Sequence, residues 1–218
     1  MRKLPRPKIN WKYIIGEVLL IFVGISLAIW FNNWNTERKT NSDKAIAIAK
    51  IEGEIHNNLE ELKRTTEGNS TIKKAMDTYK AFHVADVGIV ASQNQMREFQ
   101  QEHPRFFKVE DSTHLKEDKW VYDGDTYINL ELAELTKIAW ETSKVTGITS
   151  AFGYECLYAL EGTYNLQELV QIEMIKAVDA LQDNDIDRLF RVLEFMEQYD
   201  SQLREDYDQA LQALKNCK

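Results

Sequence analysis

Tyr13-Ile-Ile-Gly-Glu-Val-Leu-Leu-Ile-Phe-Val-Gly-Ile-Ser-Leu-Ala-Ile-Trp-Phe31 decides the organisation of this chain. Fifteen of its 19 residues are apolar, the exceptions being Gly16, Glu17, Gly24 and Ser26, and no Lys or Arg lies between Lys12 and Arg38. Nineteen helical residues rise roughly 28 Å, close to the hydrocarbon thickness of a bilayer. Trp11 and Tyr13 stand at one end and Trp30 and Trp34 at the other, where interfacial aromatics belong. Ser26-Leu27-Ala28 has the small-residue spacing of a signal cleavage site. The apolar run continues through Ile29-Trp30-Phe31, so we read residues 13–34 as an uncleaved transmembrane helix rather than a leader or a core helix.

Glu17 does not overturn that reading. Twelve Ile, Leu, Val and Phe residues share the span. Each contributes about −0.3 to −0.6 kcal/mol at the helix centre, against about +2.5 to +3.5 for a central charge. Glu17 sits near the edge of the span, so insertion wins. Five of the first twelve residues are basic, namely Arg2, Lys3, Arg6, Lys8 and Lys12, whereas Arg38 and Lys39 beside Glu37 are the far flank. The positive-inside rule puts segment 1–12 in the cytoplasm and residues 35–218 outside it.

Of the 27 basic and 35 acidic residues, five and one precede Asn35, so the 183 residues after it carry a net charge of −12. An acidic domain does not suit nucleic acid. The composition, 28% charged with 9 Gly and 3 Pro, excludes a collagen-like or wholly disordered chain. Two Cys exclude a disulfide-dense mini-protein and a four-Cys zinc site.

Beyond Asn35 the pattern is helical. Ile48, Ile51, Ile55, Leu59 and Leu62 recur at three and four residues, and nothing up to Glu67 breaks a helix. The membrane helix is therefore expected to continue outward as one rod. Gly68-Asn69 reads as its stop and Ser70 as the next N-cap, before a stripe of Ile72, Met76, Tyr79 and Phe82 that ends by Gly88. A short helix is expected over 92–101, closed by His103-Pro104. Residues 104–128 mix aromatics with acids around Asp123-Gly124-Asp125, a turn signal, and read as a structured loop with room for a small hairpin. Helix is expected again from Leu130 to a Gly147 stop, over 151–182 with a bend at Gly162, and from Asp185 to about Lys215. The predicted fold is all-α: one transmembrane helix and an extracytoplasmic antiparallel bundle with one irregular loop.

The stretch Tyr13 to Phe31 followed by Asn-Asn-Trp-Asn35 resembles the N-terminal signature of a family of small Bacteroidota single-pass membrane proteins with a domain of unknown function. Trp140-Glu-Thr-Ser-Lys-Val-Thr-Gly147 and Leu160-Glu-Gly-Thr-Tyr-Asn-Leu-Gln167 are similar to later segments of that family. Ala28-Ile29-Trp30-Phe31 departs from the pattern, which has a more polar residue before the Asn pair. The resemblance implies an envelope location and carries over no catalytic residue.

Glu17, Ile21, Gly24 and Ala28 share one helix face, with Asn35 on the same line. One acid, small residues and an amide make a helix-packing face, through which the span would associate with itself or with a partner helix. The competing readings of Glu17 are an interfacial carboxyl or an ion relay. Asp183 to Glu194 places acids at positions 1, 3, 5 and 12 of a calcium loop, but Arg188 occupies the position that requires Gly. We read it as a polar turn with an Asp N-cap. His56, His83, His103 and His114 are scattered; only His103 and His114 with Glu110 or Asp111 offer a metal combination, and ordinary surface or satisfied His is expected instead. No phosphate-cradling glycine loop occurs. No metal or cofactor is expected. Cys156 on a core helix is expected to be free and buried, the alternative being a disulfide to Cys217 if the last two helices fold back on each other. Phe106, Phe107, Trp120 and Tyr122 are the candidates for a partner surface, against core anchoring of the loop.

Two function classes follow. One is a membrane-anchored interaction or scaffold module whose partners are the lipid bilayer, itself, or another membrane or envelope protein. With about twelve residues expected inside, any signal would need a membrane partner. The other is an envelope enzyme with an unrecognised site near 104–128, disfavoured because no catalytic motif is present.

Overall fold

A computed structural model describes residues 11–217. Residues 1–10 of the expected basic segment lie outside the described residues. A single helix, α1 (Trp11–Phe82), runs for 72 residues, about 108 Å. The apolar span occupies its first quarter with none of that stretch buried, and it is long and apolar enough to cross a membrane. At its end the Trp34 ring packs on Phe31 at 5.9 Å and carries the Arg38 guanidinium at 5.8 Å. The first fully buried residue is Ile51, so roughly 25 Å of rod separates Trp34 from the enclosed core.

The expected stop at Gly68-Asn69 does not occur. Asn69 uses its side chain on another segment: Nδ2 donates to the Glu131 carbonyl at 2.7 Å, and the Glu131 amide donates to Oδ1 at 2.9 Å. Gly68 leaves space that the Glu131 carboxylate fills, 3.2 Å from where a Cβ would stand. An interior Gly costs a helix about 1 kcal/mol, and the docked segment compensates. Ser70 is therefore mid-helix, and the stripe Ile72, Met76, Tyr79, Phe82 belongs to α1.

Beyond α1 the fold is not purely helical. Strands β1 (His83–Val84), β2 (Gly88–Ala91), β3 (Phe107–Lys116) and β4 (Lys119–Thr126) form an antiparallel sheet in the order β1-β2-β4-β3. Helix α2 (Gln93–Glu102) lies between β2 and β3, with a Ser92–Gln95 capping box at its start. The expected loop at 104–128 thus contains a full hairpin. Asp123-Gly124-Asp125 is not a turn but part of β4. Gly124 faces Val109 beside a bulge, and a Cβ there would collide with the Lys108 carbonyl.

Residues 127–137 form no regular element where a helix was expected from Leu130, and α3 is only Ile138–Val145, followed by Gly147 in the left-handed region. A 3₁₀ turn (Ile148–Ala151) leads into α4 (Tyr154–Gln182), which runs unbroken through Gly162. The polar turn at 183–185 has Asn184 at φ 54°, and the Asp185 carboxylate accepts the Arg188 amide at 2.9 Å, capping α5 (Ile186–Lys215). Helices α4 and α5 form an antiparallel pair closed by a disulfide between Cys156 and Cys217, whose Cα atoms are 5.6 Å apart. Cys156 is therefore not free.

Candidate functional site

Glu17, Ile21, Gly24 and Ala28 all lie on α1 within the exposed span. A Cβ built on Gly24 meets nothing within 4 Å. Because α1 is unbroken, the line they define can be followed outward. At 100° per residue, Asn35, Ile46, Ala49 and Gly53 stay within about 40° of the Glu17 direction. These last three line a groove of about 820 Å³ between α1 and the segment holding α3 and the 3₁₀ turn. Ile138 and Ile148 form its opposite side. Gly53 opens into free space, whereas Ile46 and Ile138 are 58% and 72% exposed. Exposed apolar side chains beside a groove floored by small residues make a surface suited to another helix.

A buried polar cluster holds this groove in shape. Glu54, on the core face of α1, is 8% exposed. Its carboxylate accepts the Ala139 and Trp140 amides at 2.8 and 3.2 Å, the first amides of α3, which no residue of its own caps. The Tyr164 hydroxyl donates to the same carboxylate at 2.7 Å. One turn along, Asn58 Nδ2 donates to the Thr136 carbonyl at 2.7 Å, and Oδ1 accepts the Thr136 amide at 2.9 Å. Gln167 Nε2 donates to that carbonyl at 3.0 Å, and its Oε1 accepts Asn58 at 3.1 Å and the Tyr207 hydroxyl at 2.7 Å. Gln171 Nε2 reaches the Leu135 carbonyl at 2.7 Å. These side chains satisfy backbone groups that a helix would otherwise have paired, which lets 131–137 stay irregular.

Burial raises the Tyr164 phenol far above its ordinary range, and the hydrogen bond to Glu54 adds to this. Burial raises Tyr207 likewise. With the Thr136 hydroxyl also donating to it at 3.4 Å, the Glu54 carboxylate ties α1, the 136–140 segment and α4 into one fixed arrangement. The Trp140 ring stacks on Tyr164 at 5.5 Å with planes 3° apart, completing the wall behind the groove.

The aromatic candidates are not a surface. Phe106, Phe107 and Tyr122 are buried, and Trp120 is half-buried against His114. Phe106 and Phe107 pack edge-on against Tyr79 at 5.7 and 5.6 Å, in a cluster that includes Phe99. They anchor the sheet to the far end of α1. His114 bonds the Glu117 carbonyl at 2.8 Å and His103 is buried against Phe99. Among the described residues no group of three His, Cys, Asp or Glu could hold a metal ion. Sequence reasoning missed Glu54, Asn58 and Gln167. The signal for the first two was present: they follow the buried stripe Ile51, Ile55 and Leu62 around the helix, where a polar residue needs a partner. Comparison with protein-family models, curated proteins and solved structures finds no match to this chain.

Proposed function

We propose that this chain is a single-pass anchored interaction module of the cell envelope, with its N-terminus in the cytoplasm and its domain in the periplasm, that pairs with a second copy along α1. The observation that carries this reading is the continuity of one helix. The membrane face Glu17, Ile21, Gly24 and Ala28 and the groove floor Ile46, Ala49 and Gly53 fall on one line of a rod without a break. A second rod packed on the membrane face would run directly into the groove. A second copy is the fitting occupant because it brings the same span at the same depth, and symmetric pairing of like faces is the commonest oligomer geometry. Two further facts support the orientation. Five basic residues precede Tyr13, and the Cys156–Cys217 disulfide suits an oxidising compartment.

Two measurements test it. A reporter active only outside the cytoplasm, fused after Lys218, is expected to be active; activity of a cytoplasm-specific reporter alone reverses the orientation. Self-association in membranes, read by crosslinking, is expected to fall several-fold in Gly24→Leu and Gly53→Leu, on the order of 1 kcal/mol for a lost close helix contact. Gly53→Leu points into open space in the single chain, so the fold tolerates it. Val23→Leu lies off this line and is expected to associate like wild type. Equal signals from all four proteins would end the pairing claim.

A further inference from the structure

A cavity of about 450 Å³ lies between the outer half of α1 and α5, far from the juxtamembrane groove. Met76, Phe190, Leu193 and Met196 give it an apolar wall. The ion pairs Lys73–Glu197 and Lys80–Glu194 bridge the two helices beside it. At the end bounded by Thr66 stands Asp200, 9% exposed, whose Oδ1 is buried with no hydrogen-bond partner. The two donors nearest it each serve a backbone carbonyl. The Thr66 hydroxyl donates its one proton to the Leu62 carbonyl at 2.7 Å, and Arg204 Nε donates to the backbone carbonyl of Asp200 at 3.2 Å. Burial pushes the Asp200 carboxyl up to about 6, with nearby Arg204 and the Thr66 hydroxyl opposing the shift. A buried carboxylate oxygen without a donor is costly, and a cation that brings N–H donors relieves that cost.

We propose that this cavity binds a small primary amine with an apolar body, its ammonium group on Asp200 and its body against Met76, Phe190, Leu193 and Met196. The volume lies within the range of small-molecule pockets. An ammonium supplies both the missing charge and the missing donors. An anion fits poorly, because Lys73 and Lys80 are already paired with Glu197 and Glu194, and the remaining charges around the cavity are the acids Asp77 and Asp200 against Lys74.

The test uses the full chain in lipid nanodiscs, with empty discs as the blank, and three probes that share one body: 2-phenylethylamine, 2-phenylethanol and 3-phenylpropanoate. Calorimetric titration is expected to give saturable binding of the amine, with the alcohol and the carboxylate at least about ten-fold weaker, as for loss of a charge-assisted hydrogen bond. Asp200→Asn is expected to weaken the amine about ten-fold or more and leave the alcohol unchanged. Leu193→Trp fills the cavity from its half-buried edge and is expected to abolish binding with the melting temperature retained. Equal affinity for the three probes, or an undiminished amine affinity in Asp200→Asn, overturns the proposal. So does the absence of saturable binding by any probe, which marks a cavity holding water only.

Discussion

Reducing the Cys156–Cys217 disulfide is expected to destabilise the exterior domain by about 4 kcal/mol, as the closed loop of about 61 residues implies. The cross-link joins the first turn of α4 to the second residue after α5, so it holds both open ends of the antiparallel pair. Without it the unfolded chain regains the entropy of that loop, while the native contacts of α4 with α5 are unchanged. For a domain of this size the loss corresponds to a fall in melting temperature of about 8–16 °C. Thermal unfolding followed at 222 nm, with and without reductant, measures it. The Cys156→Ser, Cys217→Ser double variant is expected to melt at the reduced value and to ignore reductant. Both sulfurs are enclosed, with Cys156 and Cys217 4% and 1% exposed, so reduction of the native protein is expected to be slow until it opens. An unchanged melting temperature would mean that the α4–α5 pairing survives in the denatured chain.

The sequence was most readable where one helix meets one environment. The apolar span, the Ser92 start of α2, the Gly147 stop and the α5 stripe each depend on residues close together in the chain. The sheet was hidden for a physical reason. Most of β3 is exposed on both faces, so Glu110-Asp111-Ser112-Thr113-His114 shows no alternation of apolar and polar residues. The stretch from Leu130 to Thr136 carries helical spacing yet forms no helix, because Asn58, Asn69, Gln167 and Gln171 take its backbone bonds. Those partners lie 31 to 78 residues away, and no local pattern can announce them.

The candidate site was legible only in its membrane half. Glu17, Ile21, Gly24 and Ala28 follow from angular spacing alone. The groove that continues their line needs α3 folded back on α1, and α3 is placed by contacts more than 80 residues apart in the chain. Asp200 carried a signal that spacing does provide: it sits within the stripe of Met196, Leu203 and Tyr207, so an acid had to enter the core. What it would meet there was not readable, since the facing wall belongs to a stretch of α1 that looked like a separate helix.

Replacing Glu54 is expected to show that the groove depends on this one carboxylate. Glu54→Leu removes the acceptor for two amides of α3 and for the Tyr164 hydroxyl, leaving three donors, two buried and one half-buried, without partners. Each such group costs about 1–3 kcal/mol, and the three share one site and do not add fully, so a loss of roughly 4 kcal/mol is expected. Exposed Glu52→Leu, two residues away on the same helix, is expected to stay within about 0.5 kcal/mol of wild type. Tyr164→Phe removes one donor and leaves the carboxylate its other partners, so it is expected to cost about 1 kcal/mol. The structural readout is Trp140, which stacks on Tyr164 directly behind the groove. Its near-ultraviolet circular dichroism, and the exchange protection of the Ala139 and Trp140 amides, are expected to be lost in Glu54→Leu at denaturant concentrations where α4 and α5 remain folded. This order of events follows from the layout. Helix α3 has eight residues and no cap of its own, whereas α4 and α5 hold each other through a long apolar seam and a disulfide. If Glu54→Leu and Glu52→Leu unfold alike, the cap is not what holds α3, and the groove must be kept open by the packing of Trp140 alone.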